Sequence, residues 1–277
     1  SFQAELSKIG SKKLERFDIK TARDAQMIAN DIKKSSPHVL KIVTKETLRR
    51  PLPPYITSTL QQDASRKLRF SAKRTMVTAQ TLYEHGHITY MRTDSVNLST
   101  ESVVAAREWI IQSLGSQYAL SAARVYKGKS RLAQEAHEAI RPTLPSRSPE
   151  TMKLVGGEAK LYELIWRRFM ASQMPDARFD TTSADISAAG TREKYLLRVN
   201  GNIIKFDGFL KVWPSKTEER ILPKINEGDK LSVVSSDTEQ HFTEPPARYN
   251  EASLIKTLEE FGIGRPSTYA AIISVIQ

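Results

Sequence analysis

Within eight positions, Ile88-Thr89-Tyr90-Met91-Arg92-Thr93-Asp94-Ser95 sets out a phenol, a guanidinium two residues on, then Thr, Asp and Ser. A tyrosine hydroxyl can attack phosphorus and form a covalent ester. Its ordinary pKa near 10 leaves only about one part in a thousand ionised at neutral pH. A fixed cation beside it favours the phenolate and also stabilises charge building on phosphoryl oxygens in the transition state. In an extended segment Tyr90 and Arg92 project to the same face. Taken on these residues alone, a buried tyrosine next to a surface arginine is the commoner meaning of such a pair.

Other chemistries find less support. The chain has no cysteine, which removes disulfides, thiolate zinc sites and cysteine nucleophiles. No Asp-x-Asp-x-Glu run suggests a carboxylate magnesium site. Gly128-Lys129-Ser130 resembles the end of a phosphate-binding loop, but Ala123 stands where that motif needs its first glycine, so no nucleotide is expected. His85 and His87 flank Gly86 without an evident third ligand and read as a loop feature.

The reactive segment follows one helical pattern and precedes another. Ala72, Met76, Ala79 and Tyr83 form an apolar stripe between a Ser71 cap and Gly86; Val103, Ala106, Ile110 and Leu114 form the next, between Ser99 and Gly115. Leu60, Ala64 and Leu68 precede them, and Leu161, Leu164, Ile165 and Phe169 follow. On the N-terminal side lie an alternating stretch (Phe2, Ala4, Leu6), a helix over 22–34 capped by Thr21, and a short strand over Val39 to Thr44, ended by Pro51, Pro53 and Pro54. From Arg178 to about Thr243 the pattern is strand-like, with turn signals at Asn200-Gly201 and Gly228-Asp229. Pro245-Pro246 closes that region and helical spacing returns with Leu254, Leu258, Tyr269, Ile272 and Ile273. The expected assembly is a discontinuous β-rich domain (1–49 and 177–247), an inserted helical domain (50–176) and the start of a further helical domain (248–277).

The 277 residues carry a formal net charge of +11. Residues 1–75 hold 17 Lys and Arg against 7 Asp and Glu. A polyanionic partner is implied, nucleic acid ahead of lipid. No apolar run approaches the ~18 residues a membrane helix needs. The chain opens inside a strand pattern and stops inside a helical one, as a piece of a longer protein would.

Four ordered stretches carry a family resemblance: PYITSTLQ (54–61), ITYMRTDS (88–95), QEAHEAIRPT (134–143), and PPARYNEASL through GIGRPSTYAAIISVIQ (245–277). Together they resemble the type IA DNA topoisomerases, in the bacterial topoisomerase I branch. Met91, and Glu138 with Arg141, point away from the topoisomerase III branch. The resemblance implies a multidomain α and β fold: a β-rich arch with an inserted, mainly helical domain carrying the active-site tyrosine. It implies that Tyr90 is the nucleophile that joins the 5′ phosphate of a cut strand and that Arg92 contacts the scissile phosphate. It places His137 near the bound strand, and Arg265, Ser267 and Thr268 in a phosphate-contacting cluster. The last run also suits a helix opening, with Pro266 in the first turn. The family implies Mg2+ in the parent enzyme, held by a Toprim domain expected before Ser1, with none bound to this piece. It further implies single-stranded DNA as partner, a monomer, a cytoplasmic, nucleoid-associated location and no relaxation by this piece alone. Two other readings are a binding module with a structural Tyr90 and the related domain of reverse gyrase.

Overall fold

The computed structural model describes residues 1–127, 138–215 and 219–276. The Gly128-Lys129-Ser130 loop and His137 lie outside the described residues. The chain forms two compact units, one of Ser1–Arg49, Arg178–Phe206 and Lys216–Pro246, the other of Arg50–Ala177, Asp207–Ser215 and Ala247–Gln277.

The first unit contains strands β1 (Glu5–Ile9) and β2 (Lys12–Lys13), helix α1 (Ala22–Lys33), strand β3 (His38–Arg49), β4 (Ala177–Ala189) and β5 (Lys194–Phe206). They build a five-stranded sheet in the order β2-β1-β5-β4-β3. Strand β1 pairs antiparallel with both β2 and β5, and β4 pairs antiparallel with β5. Thr21 caps α1 by accepting from the Asp24 amide at 3.1 Å, as its position before the apolar stripe suggests. Ile32 of α1 packs on Ala188 and Tyr195, with Leu6, Ile9 and Ile28 around them. A second apolar cluster gathers Ala184, Ile186 and Val199 with Ile42, Leu222, Ile225 and Leu231.

One carboxylate organises the β4–β5 hairpin. Asp31, buried at the end of α1, accepts from the Thr191 amide (2.8 Å) and hydroxyl (2.6 Å), the Arg192 amide (3.1 Å) and the Tyr195 hydroxyl (2.8 Å). A Cβ on Gly190 would collide with this carboxylate, so only glycine fits there. The bonds to Thr191, Tyr195 and Arg192 outweigh desolvation and hold the Asp31 carboxyl far below its ordinary value of 3.8. A depressed carboxylate stabilises the fold above its unfolded pKa and loses that contribution as pH falls through its folded value. Asp31→Asn is therefore expected to lower the stability of this unit at pH 7 and to flatten its acid sensitivity below about pH 4. Urea unfolding followed by far-ultraviolet circular dichroism between pH 3 and 7 checks this.

Two expectations for this unit need correction. Asn200-Gly201 is not a turn. It lies inside β5, with Asn200 opposite Ser183 and Gly201 opposite Thr182. The glycine answers a close approach instead, because a Cβ there would sit 2.8 Å from the Arg220 carbonyl oxygen. The hairpin turn is at Gly190, whose amide donates to the Glu193 carbonyl at 3.0 Å. Strand character also stops earlier than Thr243. Beyond Phe206 the described residues of this unit join it through isolated bridges, His38 to Lys230 and Asn202 to Arg220. Gly228-Asp229 does form a turn, with Gly228 at φ +88° and Asp229 Oδ2 accepting from the Asn226 amide.

The second unit holds α2 (Thr57–Asp63), a π-helical turn over Ala64–Leu68, α3 (Ala72–Glu84), α4 (Thr100–Leu114), α5 (Gly156–Ser172), α6 (Glu251–Glu260) and α7 (Tyr269–Ile276). Ser71 and Ser99 cap α3 and α4 through the amides of Arg74 and Ser102. Leu60, Leu82, Ile110, Ile165 and Phe169 are fully buried. All but Leu82 belong to a helical stripe visible in the sequence; in α3 the expected stripe ended on Tyr83, which is exposed, while Leu82 is buried in its place. Trp109 and Trp166 meet edge to face at 4.8 Å. Residues 248–277, expected to open a separate domain, group with this unit because Ile255 and Ile273 pack on Ala72.

Candidate active site

The reactive segment runs between the end of α3 and the Ser99 cap of α4. Its exposure alternates: Tyr90 is 43% exposed and Arg92 is exposed, whereas Met91 (1%) and Thr93 (2%) are buried between and after them. That alternation has the two-residue period expected of extended chain, but the backbone itself bends at Thr89, Met91 and Arg92. Phenol and guanidinium are both open to solvent, with the buried Met91 between them as the anchor. The Tyr90 ring meets the ring of Tyr83, from the last turn of α3, edge to face at 5.2 Å.

Two chain segments hold this piece of backbone. On one side, Thr89 donates its amide to the Arg141 carbonyl (2.9 Å) and its hydroxyl to the Ala139 carbonyl (2.7 Å), and Ile88 bridges to Pro142. On the other, the Thr57 amide donates to the Thr93 carbonyl at 2.9 Å. Thr57 opens α2, so its amide has no partner within the helix and is free for this bond. Ile140 is tied in turn to the Tyr55 carbonyl (2.8 Å) and Ala139 to the Asn97 carbonyl (2.8 Å). Three stretches that stand far apart in the sequence (54–61, 88–95 and the described part of 134–143) thus meet around Tyr90. Glu138 finishes the frame by accepting from the Ser99 amide and pairing with Arg141, both at 2.6 Å.

Burial separates Tyr90 from most of the other tyrosines. Tyr55 donates to Asp63 and is raised well above the ordinary phenol range, first by desolvation. Burial pushes Tyr126 and Tyr162 up to about 12, and Tyr195 to about 12 together with its bond to Asp31. These hydroxyls are held protonated and are already committed to partners. Tyr83 and Tyr249 are exposed like Tyr90, but neither has an arginine or lysine two residues on.

Arg265, Ser267 and Thr268 are all exposed. The Arg265 guanidinium bonds the carbonyls of Gly264 (2.7 Å) and Gly262 (3.2 Å), and its amide donates to the Thr268 hydroxyl (2.8 Å). Residues 266–268 form a turn and α7 begins at Tyr269, three residues later than Pro266. The tie between this run and the reactive segment is indirect. Burial first, then the charges of Glu259 and Asp94, raise the Tyr269 hydroxyl, and Arg265 opposes them. His85 and His87 have rings 6.0 Å apart, and burial lowers the His87 pKa. No group of three or more His, Asp or Glu side chains converges on a point among the described residues.

Thr57 and Glu138 were not singled out from the sequence as site residues. Both lie within stretches that carry the resemblance, which was the available signal.

Comparison with known proteins places this arrangement. A family model described as DNA topoisomerase matches residues 1–277. DNA topoisomerase 1 of Rickettsia felis is 46% identical over 292 residues, covering 100% of this chain and 37% of the relative. That of Pseudomonas aeruginosa is 47% identical over 264 residues, covering 93% of this chain and 30% of the relative. The full-length topoisomerase I structure from Thermotoga maritima superposes with a TM-score of 0.80 at 35% identity, over 97% of this chain and 44% of that one. The chain thus spans only 37% and 30% of the length of these two curated relatives. A match along all 277 residues, shared by bacterial relatives that agree in name and by a solved structure that agrees in fold, leaves one conclusion: the chain belongs to the DNA topoisomerase family, in its type IA bacterial topoisomerase I branch.

Proposed function

We propose that this chain supplies the strand-cleaving nucleophile of a type IA topoisomerase. The Tyr90 phenol gives up its proton to solvent as its oxygen attacks the phosphorus of an extended single DNA strand and forms a new O–P bond. The bond from phosphorus to the 3′ oxygen breaks, and that oxygen leaves as a hydroxyl after taking up a proton. Arg92 lies against the phosphoryl oxygens as charge builds there. The phosphotyrosine diester keeps the energy of the broken linkage, so resealing needs no nucleotide. Strand passage between cleavage and resealing relaxes negative supercoils. The observation that carries this reading is the exposure of both Tyr90 and Arg92 on a backbone clamped from both sides.

The strand is the partner, met by a monomer at the bacterial nucleoid in the cytoplasm. Arg265, Ser267 and Thr268 contact its phosphates, and His137 lies near it. Magnesium would belong to the acidic cluster of a Toprim domain, which resemblance to the family implies outside this chain. The steps assigned to this chain use its own side chains only. The general acid for the 3′ oxygen comes from the same domain. This chain alone is accordingly expected to relax no supercoiled plasmid in the presence of magnesium, which agarose electrophoresis reads directly.

Mapping the covalent adduct tests the central claim. Trapped complex of the full-length enzyme is digested with trypsin and nuclease. No Lys or Arg lies between Arg74 and Arg92, so the modified nucleotide is expected on the peptide 75–92. Fragment ions must place it on Tyr90 and not on Tyr83. An adduct on any other residue overturns the assignment.

A further inference from the structure

We propose that Thr57 is a positioning residue for the cleavage step, acting through the backbone on either side of Arg92; this rests on the reading of Tyr90 and Arg92 above. Thr57 is fully buried at the first position of α2. Its hydroxyl lies 2.7 Å from the Met91 carbonyl oxygen and 3.0 Å from that of Thr93, and it accepts from the Thr93 amide at 2.9 Å. A hydroxyl has one proton to give. Donated to Met91, the shorter contact, it leaves the oxygen lone pairs for the Thr93 amide. One side chain thereby grips the carbonyl before Arg92 and the amide after it. The Thr57 main-chain amide adds a third bond, to the Thr93 carbonyl.

The consequence is geometric. Arg92 is exposed on a backbone whose two flanking peptides are held by one buried oxygen, and Tyr90, also exposed, is two residues away. Without that oxygen the Thr93 amide loses its hydroxyl acceptor inside the unit, and the segment re-forms around other bonds. Tyr90 and Arg92 both remain present and exposed, but their spacing against one phosphate is no longer set. Reaction rates are sensitive to this, since displacement of a reacting group by about 1 Å can cost ~100-fold. Strand affinity, spread over many phosphate contacts, is much less sensitive.

The test uses the full-length enzyme, with Thr57→Val removing the hydroxyl at constant shape and Thr57→Ser restoring it. Single-turnover cleavage of a labelled single strand is expected to slow by ~10–100-fold in Thr57→Val and by less than about threefold in Thr57→Ser. Strand affinity, read by fluorescence anisotropy, is expected to stay within about twofold for both. Cleavage by Thr57→Val at the parent rate overturns the proposal. So does equal slowing by Thr57→Ser, or a loss of affinity that matches the loss of rate. Unfolding of Thr57→Val at the assay temperature overturns it as well, because the hydroxyl would then hold the whole unit and not the catalytic segment. Tyr90→Phe run alongside keeps the two readings apart. If it still forms adduct, the role of Tyr90 fails; if it is inert while Thr57→Val is unimpaired, only the role of Thr57 fails.

Discussion

Tyr90→Phe is expected to reduce covalent capture of DNA by the full-length enzyme to background while leaving non-covalent strand binding within about twofold. The change deletes one oxygen and nothing that holds the segment. The Phe ring keeps the edge contact with Tyr83, and Met91 and Thr93 stay buried beneath. The bonds from Thr57, Thr89 and Arg141 involve other residues and persist. A phenyl ring has no atom that can form the phosphate ester, so the loss is complete and not graded. Mixing with a labelled oligonucleotide, quenching in detergent and resolving by gel electrophoresis reads both bound and covalent DNA. Adduct at the parent level in this variant would remove Tyr90 from its role and direct attention to Tyr83, the neighbouring exposed phenol.

The second large effect concerns stability. Asp63→Ala is expected to destabilise the helical unit by about 3–5 kcal/mol, the usual consequence of stripping one partner from a buried charge pair. Arg168 is almost entirely buried. Its guanidinium bonds Asp63 at 3.3 Å and the Pro53 carbonyl at 2.6 Å, and it lies over the rings of Tyr55 (4.7 Å) and Trp213 (5.5 Å). Asp63 also accepts from the Tyr55 hydroxyl at 2.7 Å. Losing the carboxylate leaves a buried cation short of its counter-charge and a buried phenol without its acceptor. The same chain with Asp63→Leu and Arg168→Met together should recover much of the loss, since an apolar pair needs no desolvation of charge. All three tryptophans, Trp109, Trp166 and Trp213, belong to this unit, so fluorescence-monitored urea unfolding reports on it and not on the sheet. An unchanged urea midpoint in Asp63→Ala would show that the ion pair contributes no net stability.

How much of this was legible beforehand depends on how far apart the interacting groups lie. Caps and helix ends were local. Thr21, Ser71 and Ser99 cap where a polar residue precedes an apolar stripe, and Gly86 and Gly115 follow the last periodic residue of α3 and α4. The exposure of Tyr90 beside Arg92 was not local: the residues alone favoured a buried phenol, and the backbone bends at Met91 and Arg92 where the strand period assumed extended chain. Asn200-Gly201 misled because glycine has two uses. A positive φ would have made it a turn; the approach of the Arg220 carbonyl made it a strand position. Nothing within a few residues of Gly201 distinguishes these.

By itself, then, the sequence determined most of the helices, the caps at Thr21, Ser71 and Ser99, and the family, but neither the exposure of Tyr90 nor the start of α7 at Tyr269. Only the tertiary structure decided that residues 54–57 and 138–142 enclose the reactive segment, that Thr57 rather than a neighbour holds it, and that Asp63 neutralises Arg168. The physical reason is range. Helix capping and strand alternation are set by dihedral preferences and hydrogen bonds over four or five residues. A clamp between positions 57, 91 and 141 or an ion pair between 63 and 168 exists only once packing has brought distant chain together, and no local periodicity encodes which partners will meet.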